Sequence, residues 1–205
     1  MAQVKYTNKL RRVPTLVRAI CEALDTQEIR RLCRYFSLSP YDDVALDYNN
    51  EFVEQPDLMD SLLNHSVRDK KISEGADKPV VLPQRFSDDA LTGKRVIIFV
   101  YCSDIVTKYG TTNLDYYFQV QICYPLPIEP LADFKSRPWE IATWLEENID
   151  GLPPKCEYLK ELGNIVFTIS GDIINGKLAN NSEMGVLTVP IRVRVVSNKD
   201  TKFHW

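Results

Sequence analysis

Two stretches near the C-terminal end, Asn164 to Ile174 and Gly185 to Ser197, read as long strands flanking a polar segment. The run Val186-Leu-Thr-Val-Pro-Ile-Arg-Val-Arg-Val-Val196 is rich in alternating apolar residues, so one of its faces belongs on a core. Pro190 interrupts this run where a central position would lose a ladder hydrogen bond, and therefore marks a bulge or an edge. An edge there would be open to a neighbouring copy, or simply protected by the proline. A helix precedes the two strands. Ser136 is its candidate cap, Pro138 fits its first turn, and Trp139, Ala142, Leu145 and Ile149 form the expected buried stripe. Asp150-Gly151 and Pro153-Pro154 close it, so the last third reads as helix then hairpin.

Upstream, Leu16, Ile20 and Leu24, then Ile29, Leu32, Cys33 and Phe36, recur at three- and four-residue spacing and predict a helix from Thr15 to about Phe36. Asp25 with Glu28 three residues later fits a capping box, which divides this helix at Asp25-Thr26. From Ser37 to Gly93 the periodicity is lost. Pro40, Pro56, Pro79 and Pro83 break it, only Asp57 to Leu63 suggests a helical turn, and Val80 to Leu82 suggests short strands. Tyr41, Tyr48, Phe52, Val53, Leu62 and Leu63 have no use in a solvated linker, so the segment reads as an extended arm ordered by its neighbours. Lys94 to Val106 is an apolar strand covered on both faces over its first half. Tyr109-Gly110-Thr111-Thr112-Asn113 supplies a turn, and Tyr116 to Tyr124 returns with Tyr117, Gln119, Gln121 and Cys123 on a wetter face. Pro125, Pro127 and Pro130 force an extended crossing. The expected fold is a single α+β domain, 1–205, with a mixed or antiparallel sheet of two hairpins and a helix packed on one face. A basic helical segment (1–36) and a long irregular acidic arm (37–93) precede a ββαββ body (94–205).

Charge is unevenly spread along the chain. Residues 1–36 hold eight Lys/Arg against three Asp/Glu, residues 37–90 hold five against twelve, and the remainder holds twelve against thirteen. A basic segment beside an acidic one predicts complementary contacts within the chain or between copies of it. The candidates are Arg18, Arg30, Arg31 and Arg34 on one side and Asp42, Asp43, Asp47 and Glu51 on the other. Asn175, Lys177, Asn180, Asn181, Glu183 and Met184 form a polar tip that is a candidate docking loop. No apolar run approaches the roughly 20 residues of a membrane helix. No apolar stretch follows the basic N-terminus as a secretory signal requires. Cys21, Cys33, Cys102, Cys123 and Cys156, without a C-x-x-C spacing, read as buried reduced thiols. A cytosolic site of synthesis and no membrane partner are expected.

Chemical motifs are sparse. Gly171-Asp-Ile-Ile-Asn-Gly176-Lys177 matches the opening of a phosphate loop, but Leu178 stands where Ser or Thr should bind magnesium and no helix pattern follows. Asp42, Asp43 and Asp47 offer oxygens to a hard cation, yet they lie in a generally acidic stretch with no second cluster facing them. His65 and His204 have neither a zinc-type spacing nor a local nucleophile. No cofactor, metal or catalytic residue is expected. A pI near 5.5 and the absence of a reader motif argue against sequence-specific DNA binding.

The element order resembles the tail terminator and related neck proteins of long-tailed bacteriophages. An N-terminal helix, here Leu16 to Phe36, precedes strands; a mid-chain helix, here Trp139 to Ile149, packs on the sheet; and the strand Val186 to Val196 closes it. The long acidic arm departs from the smaller members of that family. The resemblance implies a virion protein made in a host cytoplasm. It would assemble as a homo-oligomeric ring, of six copies, at the head-proximal end of a tail, touching neck and tail-tube proteins and the head connector, with DNA passing through its lumen. A heterologous ring contact needs two unlike patches, which the basic helix and acidic arm supply. Two other readings remain: a non-viral self-assembling or adaptor protein, and a small cytosolic enzyme with a site assembled from scattered residues such as Asp104, Asp115 and Tyr117.

Overall fold

Alternating apolar residues organise most of the chain into one mixed sheet with helices on a single face. The computed structural model describes residues 9–47, 49–59, 62–63, 80–85, 95–107, 114–151, 159, 162, 164–178 and 181–196. The elements in order are α1 (Lys9–Ala23), α2 (Gln27–Arg34), β1 (Val44–Leu46), β2 (Phe52–Glu54), β3 (Val81–Leu82), β4 (Ile97–Thr107), β5 (Leu114–Pro125), α3 (Arg137–Ile149), β6 (Asn164–Ile169), β7 (Ile174–Leu178) and β8 (Asn181–Val196). The main sheet runs β3-β4-β5-β8-β6, with β7 also paired to β8. The parallel pairing of β3 with β4 makes it mixed. The α+β expectation holds.

The helical face of the sheet is apolar at every second position. Ile98, Val100, Tyr116, Phe118, Val120, Ile122, Phe167, Leu187, Val189, Ile191, Val193 and Val195 pack beneath Leu16, Ile20, Leu24, Ile29, Leu32, Ile141, Leu145 and Ile149 in one cluster. The opposite face is wetter, as expected from Tyr117, Gln119 and Gln121, but Cys123 is buried there with Ile97, Phe99 and Met184 in a second, smaller cluster.

Several boundaries differ from expectation for identifiable reasons. The first helix begins by Lys9 and contains Pro14. That proline removes one intrahelical bond, to the carbonyl of Leu10, which is 72% exposed and open to water. The division at Asp25-Thr26 is present, but Thr26 is the cap, its Oγ1 accepting from the amide of Ile29 at 3.5 Å. Asp25 Oδ1 instead accepts from Arg30 Nε at 2.9 Å and from the amide of Leu62 at 2.8 Å. Leu62 is fully buried and Leu63 bridges Val81, so the helical turn expected over Asp57 to Leu63 is replaced by irregular chain among its described residues. Ser136 occupies the cap position of α3 without a capping bond. Trp139 is 40% exposed, and the buried stripe runs through Pro138, Ile141, Ala142, Leu145 and Ile149.

The described residues of the polar tip, 175–178 and 181–184, are not a loop but belong to the paired strands β7 and β8. β8 is consequently central, paired with β5 along one side and with β6 and β7 along the other. Pro190 therefore lies on no edge. Its carbonyl accepts from the amide of Ser170 at 3.0 Å, on the side where β6 has ended and β7 has not begun, so the missing N–H faces a break in the pairing. Gly171, at φ +112°, turns the chain through this break against the Pro190 ring.

Gly185 faces Tyr124 across the β5–β8 ladder, and a Cβ placed on it would lie 2.3 Å from Tyr124 Cζ. The ring is 1% exposed, and its hydroxyl donates to Asn175 Oδ1 at 3.0 Å. Gly185→Ala must displace that ring and break the bond, so we expect a loss of about 2 kcal/mol in urea unfolding. A loss under about 0.5 kcal/mol would mean that the ring swings clear without consequence.

Candidate functional site

The acidic arm is built onto the helices by two buried arginines. Arg31, 6% exposed, donates from Nη1 to the carbonyl of Tyr41 at 2.9 Å and from Nη2 to the carbonyl of Gln55 at 2.9 Å. The same Nη2 meets Asp43 Oδ1 at 3.0 Å and Asp57 Oδ1 at 3.1 Å. Arg137, fully buried at the start of α3, donates to four carbonyls: Ile128 at 2.9 Å, Leu32 at 2.5 Å, Tyr35 at 2.9 Å and Ser37 at 2.9 Å. Two of these lie at the C-terminal end of α2, where a cation complements the helix dipole. Gln55, 1% exposed, completes the attachment by donating to the carbonyls of Ser39 and Asp42.

These contacts show the first of the two fates predicted for the opposite charges, pairing within the chain. Arg30 and Arg31 are satisfied inside their own chain, Arg30 on Asp25 and the carbonyl of Leu58, Arg31 on Asp43 and Asp57. Neither is a free patch for another copy. Arg18, its side chain 67% exposed, pairs with Glu22 one helical turn on. Arg34 ends α2, half-buried. Asp47 closes the turn between β1 and β2, where the amides of Glu51 and Asn49 hold its carboxyl below its ordinary value. Asp42 and Glu51 are exposed.

The attached arm presents an apolar surface. β1 and β2 pair Val44 with Glu54 and Leu46 with Phe52, which places Val44, Leu46 and Phe52 on one side of the ribbon. Their exposures are 53%, 39% and 79%, whereas Ala45 points inward at 5%. Beside them, the amide of Leu38 donates to the carbonyl of Leu46, and the carbonyl of Leu38 accepts from the amide of Ala132. That second bond anchors the turn carrying Phe134, which is fully exposed. Asp133 and Phe134 both have positive φ, 59° and 61°, a conformation that costs a bulky residue about 1–2 kcal/mol. The turn is held regardless by Leu131 N to Lys135 O and by the Pro130–Ser136 bridge. A strained loop that keeps an aromatic ring in water is the kind of feature found at contact sites.

A second feature is concave. Between α1 and the outer side of β4 lies a groove of about 770 Å³, walled by Val13, Pro14 and Val17 on the helix and by Val81, Val100 and Cys102 on the strands. It continues along α1 into a smaller hollow of about 370 Å³ reaching Leu10 and Ile105. β3 covers β4 only at Ile98 and Phe99, so beyond Phe99 the outer side of β4 pairs with no strand among the described residues. Cys21 lines the groove, but burial, with Glu22 adding to it, pushes its thiol up to about 12. Burial likewise pushes Cys33 and Cys123 up to about 12, so these thiols are core residues rather than nucleophiles.

No protein-family model matches the chain, and no curated protein is similar to it.

Asn175 and Lys177 lie exposed on β7, Asn181 and Glu183 begin β8, and Asn180 lies outside the described residues. Met184 is 4% exposed in the second core cluster, so it is no docking residue. Asp115, 3% exposed, receives both Arg194 Nε at 2.7 Å and Nη2 at 3.0 Å, a bidentate pair on the wetter sheet face. Tyr117 pairs with Asp104 in the β4–β5 register, just past the bulge at Ser103. Asp104 is exposed and receives the amide of Ile105. Among the described residues, no three His, Cys, Asp or Glu side chains are grouped to hold a metal ion. No described helix is long and apolar enough to cross a membrane. Tyr48, His65, Cys156, His204 and the turn at 109–113 fall outside the described residues.

The apolar content of the arm was legible in Tyr41, Phe52 and Val53, but its direction was not. Phe134 and the groove gave no sequence signal beyond Val13 and Val17, which extend the α1 stripe by one side.

Proposed function

We propose that this protein is a structural component of a phage neck or tail, similar to a tail terminator. It assembles as a ring at the head-proximal end of the tail and joins it to the head connector. The observation that carries the reading is the exposed apolar ribbon side of Val44, Leu46 and Phe52, fixed by buried arginines to the α+β body, together with the exposed Phe134 on a turn bonded to Leu38. A monomer gains nothing from holding such a surface in water, whereas an assembling protein buries it in its partner. The arrangement of an N-terminal helix, a sheet, a mid-chain helix on that sheet and a long alternating strand supports the family likeness. The exposed carboxylates of the arm suit a channel wall that DNA passes without adhering, because phosphates are repelled.

Light-scattering mass at low and high concentration, with negative-stain images of the same sample, tests this. Closed rings of about six copies are expected. A monomer at every concentration would move the reading to an adaptor whose apolar surface docks on an unlike protein.

A further inference from the structure

We propose that an extended strand of an unlike protein pairs with the outer edge of β4 and lays alternate apolar side chains into the groove beneath α1. The contact uses none of the residues that carry the ring reading and stands or falls apart from it. β3 runs beside β4 only at Ile98 and Phe99, and Pro83 follows it directly. The amide of Ile98 donates outward to the carbonyl of Val80 at 2.8 Å. Backbone groups alternate along a strand, so those of Cys102 point the same way, past the end of β3. No strand pairs with them among the described residues. The groove of about 770 Å³ reaches from Val81 and Pro83 to Cys102, and the hollow beyond it reaches Ile105, so both lie in line with β3. An occupant there continues the β3–β4 interface.

The helix above the groove carries two apolar stripes. Leu16 and Ile20 pack on the sheet. Leu10, Val13, Pro14 and Val17, spaced i, i+3, i+4 and i+7, line the groove or its extension. This second stripe is partly in water, with Leu10 72% exposed and Pro14 exposed. A strand laid along β4 sends every second side chain up against it and the others to the wetter sheet face. The matching segment is therefore extended, apolar at alternate positions and polar between them, and is held by main-chain hydrogen bonds together with side-chain burial. Charge does not select it, since Arg18 and Glu22 at the groove pair with each other and Asp104 stands in the hollow. Every described strand of this chain is already paired within its own two sheets, which makes the donor another kind of protein. The bulge between Cys102 and Asp104 ends the flat part of the edge. The paired stretch is accordingly a few residues long, and the groove supplies the rest of the contact.

Four labelled octapeptides, with Val, Ile, Leu or Phe at alternate positions and Thr or Lys between them, are titrated against the whole chain by fluorescence anisotropy. At least one is expected to bind and to slow hydrogen exchange across residues 100–106. Of its two forms N-methylated at alternate amides, one should bind at least about tenfold more weakly and the other nearly as well, because a single peptide edge meets β4. Pro14→Glu and Leu10→Glu, both at exposed positions, should each weaken binding about tenfold without lowering the melting temperature. No binding by any of the peptides at about 1 mM overturns the proposal. Equal binding by the two methylated forms also overturns it, since the groove would then take apolar side chains without strand pairing. If a bound peptide lowers the light-scattering mass of the assembled chain, the strand comes from a second copy and the unlike donor is wrong.

Discussion

Arg137→Ala is expected to destabilise the fold by about 4 kcal/mol in denaturant unfolding, the largest effect of any single polar substitution in the described chain. The guanidinium is fully buried and serves the carbonyls of Leu32, Tyr35, Ser37 and Ile128, which belong to two segments far apart in sequence, the end of α2 with the residues just after it and the turn before α3. Alanine leaves a cavity and four acceptors without their donor. Each unsatisfied buried acceptor costs about 1–3 kcal/mol, and the losses overlap because water enters the same space. Arg137→Lys should recover little, since one ammonium cannot reproduce a planar fork aimed at carbonyls on different sides. A melting temperature within a few degrees of the parent would show that these carbonyls find other donors.

Arg31→Ala is expected to cost about 3 kcal/mol, with a local signature. Its contacts fix residues 40–57 to α2, so the variant should be cleaved by protease within the arm while the sheet remains protected from hydrogen exchange. The ion pairs themselves are the smaller share. Asp43 and Asp57 side chains are 90% and 74% exposed, so Asp43→Asn or Asp57→Asn should each change stability by less than about 1 kcal/mol. The carbonyls of Tyr41 and Gln55, each 2.9 Å from the guanidinium, carry the rest. Equal effects from Asp43→Asn and Arg31→Ala would overturn this division. Loss of the arm would also disperse the exposed apolar side of Val44, Leu46 and Phe52, so Arg31→Ala should abolish the proposed ring assembly along with it.

The parts of the fold read correctly from sequence were those governed by local periodicity. The β4–β5 hairpin, its wet face, α3 and the break between α1 and α2 each follow from spacing within a few residues. Trp139 fits the stripe by spacing, but Pro138 and Ile141 occupy the core side and rotate it outward. The polar tip failed for a different reason. Asn175, Gly176 and Lys177 have no strand propensity and become a strand only because β8 extends past β6 and offers a ladder. The arm was least legible, since its order comes from Arg31 and Arg137, the latter contacting carbonyls about a hundred positions away in sequence. No spacing rule encodes such a bond. Pairing of opposite charges was anticipated, but the sum of charges could not say that Arg31 would turn inward and Arg18 outward.

The central position of β8 sets an order on how the protein can be made. It is the last of the described strands to leave the ribosome, and among them it joins β5 to β6 and β7. Until Val196 has emerged, β5 has an open edge, the row of Tyr116, Phe118, Val120 and Ile122 lacks its neighbouring row, and β6 and β7 have no strand to pair with among the described residues. The helices and the β4–β5 hairpin find local partners early in synthesis, while the sheet closes only once β8 has emerged. A nascent chain halted a few residues short of Val196 would therefore present apolar strands to the cell's chaperones and proteases, however complete its N-terminal half.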